Sequence, residues 1–245
     1  MPEKNRLDVV MTERGLAPSR ARAQALVLAG KVLVDGAPVT KAGTSVAEDA
    51  VIELVAPDHP YVSRGALKLR SALDAFAISP EGLDCLDVGA STGGFTDLLL
   101  ERGARRVAAL DVGRGQLDWK LRTDPRVAVL EGVNARHLGP GDLPFAVDLA
   151  CVDVSFISLE LVVPAVLPHL KPGATLICLV KPQFEAGRDQ VGSGGVVRDE
   201  AVRRRVVDLT VAALAKLGLE LVGVVPSPIR GPKGNLEELA VFRGP

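Results

Sequence analysis

Between residues 83 and 243 short apolar runs alternate with helix-like stretches, and that alternation over 160 positions restricts the chain to a layered α/β sheet. Strands are expected at 84–88, 106–110, 127–130, 148–154, 174–180, 220–225 and 239–242. Helices are expected at 93–102, 114–121, 158–170 and 199–217. Connections that hold a helix make neighbouring strands parallel. The last connection is too short for a crossover helix, so the final strand is expected to run antiparallel. Seven strands with helices on both faces follow.

The first of these strands turns into its helix through Asp87-Val88-Gly89-Ala90-Ser91-Thr92-Gly93-Gly94-Phe95. A strand that turns over glycines into a helix leaves backbone N–H groups unpaired at the strand's carboxyl end, where adenosine-containing cofactors sit in open α/β sheets. Side chains at 89, 93 or 94 are expected to fill space a ligand needs. The spacing lacks the middle glycine of G-x-G-x-x-G, which argues against NAD or FAD. Asp111 ends the second strand, where an acid would grip a ribose hydroxyl pair. A ribose acid without a diphosphate cradle fits S-adenosyl-L-methionine better than a dinucleotide.

The tips of the middle strands carry polar groups. Asp153 closes the apolar run of the fourth, Lys181 follows the fifth, and Glu237 precedes the last. An acid or amine at the carboxyl end of a central strand is costly unless it is paired or faces a ligand. Alone, each residue has an ordinary role: a cap, a solvated tip, a surface charge. Together they converge on the edge that holds Gly89. Pro182, directly after Lys181, is expected to stop a helix from starting at once. Upstream, a helical pattern from Ser63 puts Leu69, Leu73 and Phe76 on one face and leaves Lys68 beside it.

Residues 5–55 read as a separate small unit. Leu7, Val10 and Met11 recur at helical spacing, and a second helix spans Arg20 to Ala29 with Ala23, Leu26 and Val27 inward. Val32-Leu33-Val34, a turn at Asp35-Gly36 and a return at Val39 signal a hairpin, and Val51 to Val55 adds a strand. Arg14, Arg20, Arg22 and Lys31 occur with no acid between them, although the whole chain carries a net charge of only −1. With aromatics at 3%, a nucleic-acid surface here must work by charge and shape rather than by rows of stacked rings. Ala56 to Pro60 is expected to be a linker. Cys85, Cys151 and Cys178 each fall in a central strand, as buried thiols of a reducing compartment do. Neither an amino-terminal signal nor a membrane-length apolar run is present, so a cytoplasmic protein is expected. No metal-ligand spacing occurs, and the residues leave the oligomeric state open.

Two resemblances rest on these residues. Arg6-Leu7-Asp8, Ser19-Arg20, Ala23, Gly30-Lys31-Val32, Val34-Asp35-Gly36 and Val39 resemble the RNA-binding module of ribosomal protein S-four. From end to end, the chain resembles the TlyA family, ribosomal-RNA 2′-O-methyltransferases also labelled haemolysins. The residues that carry this are Tyr61 to Gly65, Asp87 to Phe95, Val152 to Leu159, Lys181 to Glu185, Gly194 to Asp199 and Gly234 to Glu237. The resemblance implies an S-four-like domain over 1–57, a linker over 58–62 and an FtsJ-like methyltransferase domain over 63–245. It implies a catalytic tetrad of Lys68, Asp153, Lys181 and Glu237. It also implies that Gly89, Ser91, Thr92, Gly93, Gly94, Phe95, Asp111, Asn134 and Asp153 bind the cofactor. Arg6, Arg20, Arg22, Lys31 and Arg64 are the expected contacts to ribosomal RNA, 16S and/or 23S, with cytidine the implied nucleoside. Glu238 stands where family members often have an aromatic residue, which leaves Glu237 and Glu238 as alternatives for the fourth position. Whether Lys181 removes the hydroxyl proton or stabilises the oxygen left behind also stays open. The rival readings are an RNA-binding protein with a non-catalytic methyltransferase-like half, a pore-forming haemolysin and a small-molecule methyltransferase.

Overall fold

The computed structural model describes residues 4–17, 19–28, 30–55, 59–187, 190–192 and 194–244, apart from the side chains of Arg22, Ala25 and Pro232. Ala29, expected to end a helix, and linker residues Ala56 to Asp58 lie outside the described residues. The chain separates into two compact units, residues 1–60 and 61–245.

In the smaller unit β1 (Lys4–Arg6) leads into α1 (Leu7–Glu13) and α2 (Arg20–Leu28). There follow β2 (Val32–Val34), β3 (Ala37–Pro38), β4 (Ser45–Ala47) and β5 (Ile52–Leu54). Strands β3, β2 and β5 form one antiparallel sheet, and β1 pairs with β4 in a second. The hairpin turn has positive φ at both central residues, 51° at Asp35 and 78° at Gly36, the twist a two-residue connection needs. Leu7, Val10, Met11, Ala23, Val27, Val32 and Val46 make its core.

The larger unit opens with α3 (Gly65–Ala75), β6 (Asp84–Val88), α4 (Gly94–Glu101) and β7 (Arg106–Asp111). It continues through α5 (Trp119–Arg122), β8 (Val127–Glu131), β9 (Val147–Val152) and α6 (Leu159–Val166). Then come β10 (Leu170–Val180), α7 (Pro182–Glu185), α8 (Glu200–Ala215), β11 (Glu220–Pro226) and β12 (Glu238–Arg243). The seven strands lie in the order β11-β12-β10-β9-β6-β7-β8. As expected, the last strand, β12, runs antiparallel, to both of its neighbours β10 and β11. One face of the sheet packs on α3 and α4 through Leu69, Leu73, Leu98 and Leu99, the other on α6 and α8 through Val163, Val166, Val211 and Leu214.

Three expectations are corrected. The helix expected over 114–121 is only α5, because the chain stays irregular until the Asp118 carboxylate caps it by accepting from Lys120 N–H at 3.0 Å. The helix expected over 158–170 ends at Val166, since Pro168 has no N–H to continue the ladder. Pro182 does not delay a helix but begins one: at the first helical position its missing N–H is needed by nothing.

Candidate active site

Strands β6, β9 and β10 are parallel, so their carboxyl ends share one edge of the sheet. Asp153 follows β9 and Lys181 follows β10; their side chains meet, Lys181 Nζ lying 2.5 Å from Asp153 Oδ1. The antiparallel β12 puts its first residues at this same edge, so Glu237, just before it, arrives beside β10. There Lys68 Nζ on α3 donates to Glu237 Oε2 at 2.5 Å. Lys68, Lys181 and Glu237 are buried. Glu238 is instead a sheet residue in register with Val180 and Pro226, so Glu237 is the carboxylate that meets a lysine.

Two residues tie these pairs to their surroundings. The Lys181 ammonium also donates to Ser155 Oγ at 2.9 Å. Gln183 Nε2, on α7, lies 3.5 Å from Glu237 Oε1. Gly231 leaves room for that carboxylate, since a Cβ there would sit 2.2 Å from Glu237 Oε1. Sequence reasoning missed Ser155, Gln183 and Gly231. Ser155 and Gln183 stand within two residues of Asp153 and Lys181, a proximity that could have marked them; Gly231 gave no local signal.

Beside the pairs lies a cavity of about 360 Å³ lined by Gly89, Ser91, Asp111, Val112, Asn134, Asp153 and Ile157, among others. A smaller one of about 150 Å³ shares Gly89, Ser91 and Asp153 with it and adds Asp87, Thr92, Gly94 and Phe95. Asp111 accepts from the N–H groups of Ser91 at 2.8 Å and Gly113 at 2.7 Å, fixing its carboxylate at the mouth. Asn134 accepts from Arg136 N–H at 3.1 Å with its Oδ1. Gly89 has φ +86°, and its missing Cβ would stand 2.2 Å from the Asp153 carbonyl oxygen. Asp87 is buried. Its Oδ2 accepts from Thr96 N–H and Oγ1, while Oδ1 has no partner among the described residues. Burial pushes its carboxyl up to about 7, against the pull of the Thr96 bonds.

The glycine expectation needs correcting in its reason. A Cβ at Gly93 would meet Leu121 Cδ1 at 2.2 Å, and one at Gly94 would meet Ser63 Oγ at 2.3 Å. A Cβ at 89, 93 or 94 would therefore meet the protein's own neighbours, while Gly89 also lines both cavities. Gly94 still lines the smaller cavity, whereas Gly93 lines neither.

At the mouth, Phe156 is 89% exposed, the largest exposure among the large apolar side chains described. Its backbone is held at φ +65°, and its ring lies 4.9 Å from that of Phe184.

The basic residues of the smaller unit are not a uniform rim. Arg6 and Arg20 point onto buried Asp8, with Nε–O distances of 3.0 and 2.9 Å, and Gln24 adds a bond of 2.7 Å. The Arg6 guanidinium, with Gln24 and Arg20, holds the Asp8 carboxyl well below the usual carboxylate range. Arg14 reaches back to the carbonyls of Ala50 and Glu48. Lys31 is half-buried, Arg64 in the larger unit is exposed, and the Arg22 side chain lies outside the described residues.

Residues 61–244 match the FtsJ-like methyltransferases, and residues 5–52 match the S4 domain. The chain belongs to the FtsJ-like methyltransferase family. Among members of this family, it is 50% identical over 238 residues to the 16S/23S rRNA (cytidine-2′-O)-methyltransferase TlyA of Mycobacterium tuberculosis, a match over 97% of this chain and 89% of that protein. It is 42% identical to Hemolysin A of Brachyspira hyodysenteriae, over 97% of this chain and 99% of that one. A solved structure of a hemolysin-named protein from Streptococcus thermophilus superposes with a TM-score of 0.78 at 42% identity, covering 100% of this chain and 89% of that chain. Among the described residues of this methyltransferase no helix is long and apolar enough to cross a membrane, and no group of three or more His, Cys, Asp or Glu could hold a metal ion.

Proposed function

We propose that this chain transfers a methyl group from S-adenosyl-L-methionine to a ribose 2′-hydroxyl, that of a cytidine in 16S and/or 23S ribosomal RNA, in the cytoplasm. The observation that carries this reading is the meeting of Lys68 with Glu237 and Lys181 with Asp153 beside the Gly89 cavity. The cavity fits the cofactor in its donor set. Asp111 and Asn134 line the larger cavity, suited to a nucleoside, and Asp87, with one oxygen unpartnered among the described residues, lines the adjoining smaller one, suited to an ammonium. Gly89, Ser91, Thr92, Gly94, Phe95 and Asp153 would line the rest, and Gly93 keeps the turn in shape.

When bound, the cofactor supplies a methyl group already activated on a sulfonium. The residues therefore have to align the hydroxyl and manage its proton. Lys181 is the group placed on the hydroxyl. Asp153 and Ser155 hold its amine as a donor, so it steadies the oxygen as negative charge grows there, and the proton leaves to Asp153 or to water. Glu237 fixes Lys68, and the two hold the sugar. The S-four-like unit over 1–57 and the linker over 58–62 would deliver structured RNA to the methyltransferase domain over 63–245, through Lys31, Arg22 and Arg64. Arg6 and Arg20 turn only part of their charge outward.

Mapping 2′-O-methyl positions in ribosomal RNA, with ribosomal subunits incubated with and without the protein, tests the reading. A new methylated cytidine is expected. Cofactor binding with no new position on either subunit would leave an RNA-binding protein instead.

A further inference from the structure

The loop from Asp153 to Ser158 carries two of Lys181's partners and the exposed Phe156, and its apex is strained. A phenylalanine at φ +65° is strained and persists only where its surroundings over-determine it. Asp153 N–H is tied to the Val88 carbonyl at 2.8 Å and Val154 and Ile157 pack against the core, while the side-chain anchors come from α7 and the lysine that caps it. Lys181 holds the start of the loop through Asp153 and Ser155. Phe184 supports the apex. Glu185 holds the end: its Oε2 accepts from Ser158 Oγ at 2.6 Å and its Oε1 from Leu159 N–H at 2.9 Å. Ser158 and Leu159 line neither cavity, yet through them Glu185 closes the one end of the loop the lysine does not reach.

We infer that α7 is a clamp and that Glu185 is a positioning residue, setting Asp153 and Ser155 against Lys181 by anchoring the far end of their loop. The inference rests on the proposed 2′-O-methyl transfer for its kinetic consequence, though not for its structural one. Freed at Ser158 and Leu159, the loop relaxes its apex, and the shift reaches Asp153 five residues away. Misplacing a reacting group by about 1 Å costs on the order of 100-fold in rate.

The test uses the full chain. Glu185→Ala is expected to lower kcat of methyl transfer about 10- to 100-fold and to speed hydrogen exchange at the 153–159 amides, with exchange in β6 and β7 unchanged. Glu185→Gln is expected to restore both, because its amide oxygen can accept from Leu159 and its NH₂ can donate to Ser158. Should Glu185→Ala fail to fold, Glu185→Asp, one methylene shorter and unable to reach both Ser158 and Leu159, carries the same readouts at smaller amplitude. Wild-type kcat and wild-type exchange in Glu185→Ala would overturn the clamp, as would a Glu185→Gln variant as impaired as the alanine one. If the wild-type protein itself methylates no ribosomal RNA, the functional reading fails, and exchange at 153–159 still decides the clamp.

Discussion

The two edges of the large sheet use the same kinds of charge to opposite ends. At the edge where the parallel strands start, the Asp84 carboxylate on β6 accepts from Arg105, from Arg106 at 2.8 Å and from Lys171 at 3.2 Å. Asp148 accepts from Asp84 N–H at 2.9 Å and from Lys171 at 2.8 Å. There the acid Asp84 is buried, its cations reach solvent, and both of its oxygens are engaged. The Arg106 and Arg105 guanidiniums hold it well below the ordinary carboxylate range. At the carboxyl edge the lysines themselves are buried, each with one carboxylate, and Asp87, lining the smaller cavity with Asp153, keeps one oxygen without a partner among the described residues. Saturated charge fastens strands together. Charge with bonding capacity left over, facing a cavity, is what chemistry requires.

The sharpest way to break that contrast is to exchange the roles. Lys181→Ala is expected to cut methyl transfer by about 10²–10⁴-fold with the urea midpoint little changed. Asp84→Asn should leave turnover within about twofold and cost about 1–3 kcal/mol of stability, as lost bonds to charged groups do. Single-turnover transfer of labelled methyl and urea titration measure the two, and a turnover loss in Asp84→Asn matching that of Lys181→Ala would erase the distinction.

A smaller effect should come from Gly231→Ala. Its φ of −66° suits alanine, so the backbone takes no strain, and the new methyl first meets the Glu237 carboxylate, which must shift against its bond to Lys68. Turnover is expected to fall about tenfold, the scale of one general acid–base contact weakened rather than lost, with the melting temperature nearly constant. Turnover at the wild-type level would mean that the Lys68–Glu237 pair tolerates displacement.

The pH dependence of stability should separate the edges by sign. Asp84 is depressed on folding, so its contribution is whole above about pH 4, the unfolded value, and fades as pH falls through the folded value. Asp87 is raised to about 7, so folding favours its protonated form and stability declines from about pH 4 towards 7. Asp87→Asn should flatten the slope in that window and Asp84→Asn the slope below it; unfolding titrations from pH 3 to 8 showing neither change would refute both assignments.

Least in size is the change expected from Lys31→Glu with Arg64→Glu: weaker RNA binding, and a log–log salt slope shallower by about one for each phosphate contact removed. Arg6 and Arg20 are poor choices, since reversing either sets two acids against each other at buried Asp8. An unaltered salt slope would take Lys31 and Arg64 out of the interface.

Much of this was legible in the chain. The central strands contain runs of four or five buried residues, and polar groups at the ends of such runs stand out, which is how Asp153 and Lys181 declared themselves. Strands β1 and β4 did not, because three mostly exposed residues leave no period to read. The reason for Gly93 and Gly94 was hidden because the atoms that crowd them, on Leu121 and Ser63, come from about thirty residues away. Asp8 looked like an ordinary helical acid: that Arg20 and Gln24 would close over it is a property of how α1 meets α2. Glu185 stood out only as the end of a motif, since its partners lie 26 and 27 positions upstream.

Lys68 precedes every strand of the large sheet, and the acid that neutralises it lies 169 positions later. While the polypeptide is still being made, the amine is present and its counter-charge is not, and the gap between β10 and β11 stands open until β12 slides into it. The last strand of the sheet to be synthesised is thus the one that brings Lys68 its counter-charge, and on the proposed reading an unfinished copy lacks one of the two pairs.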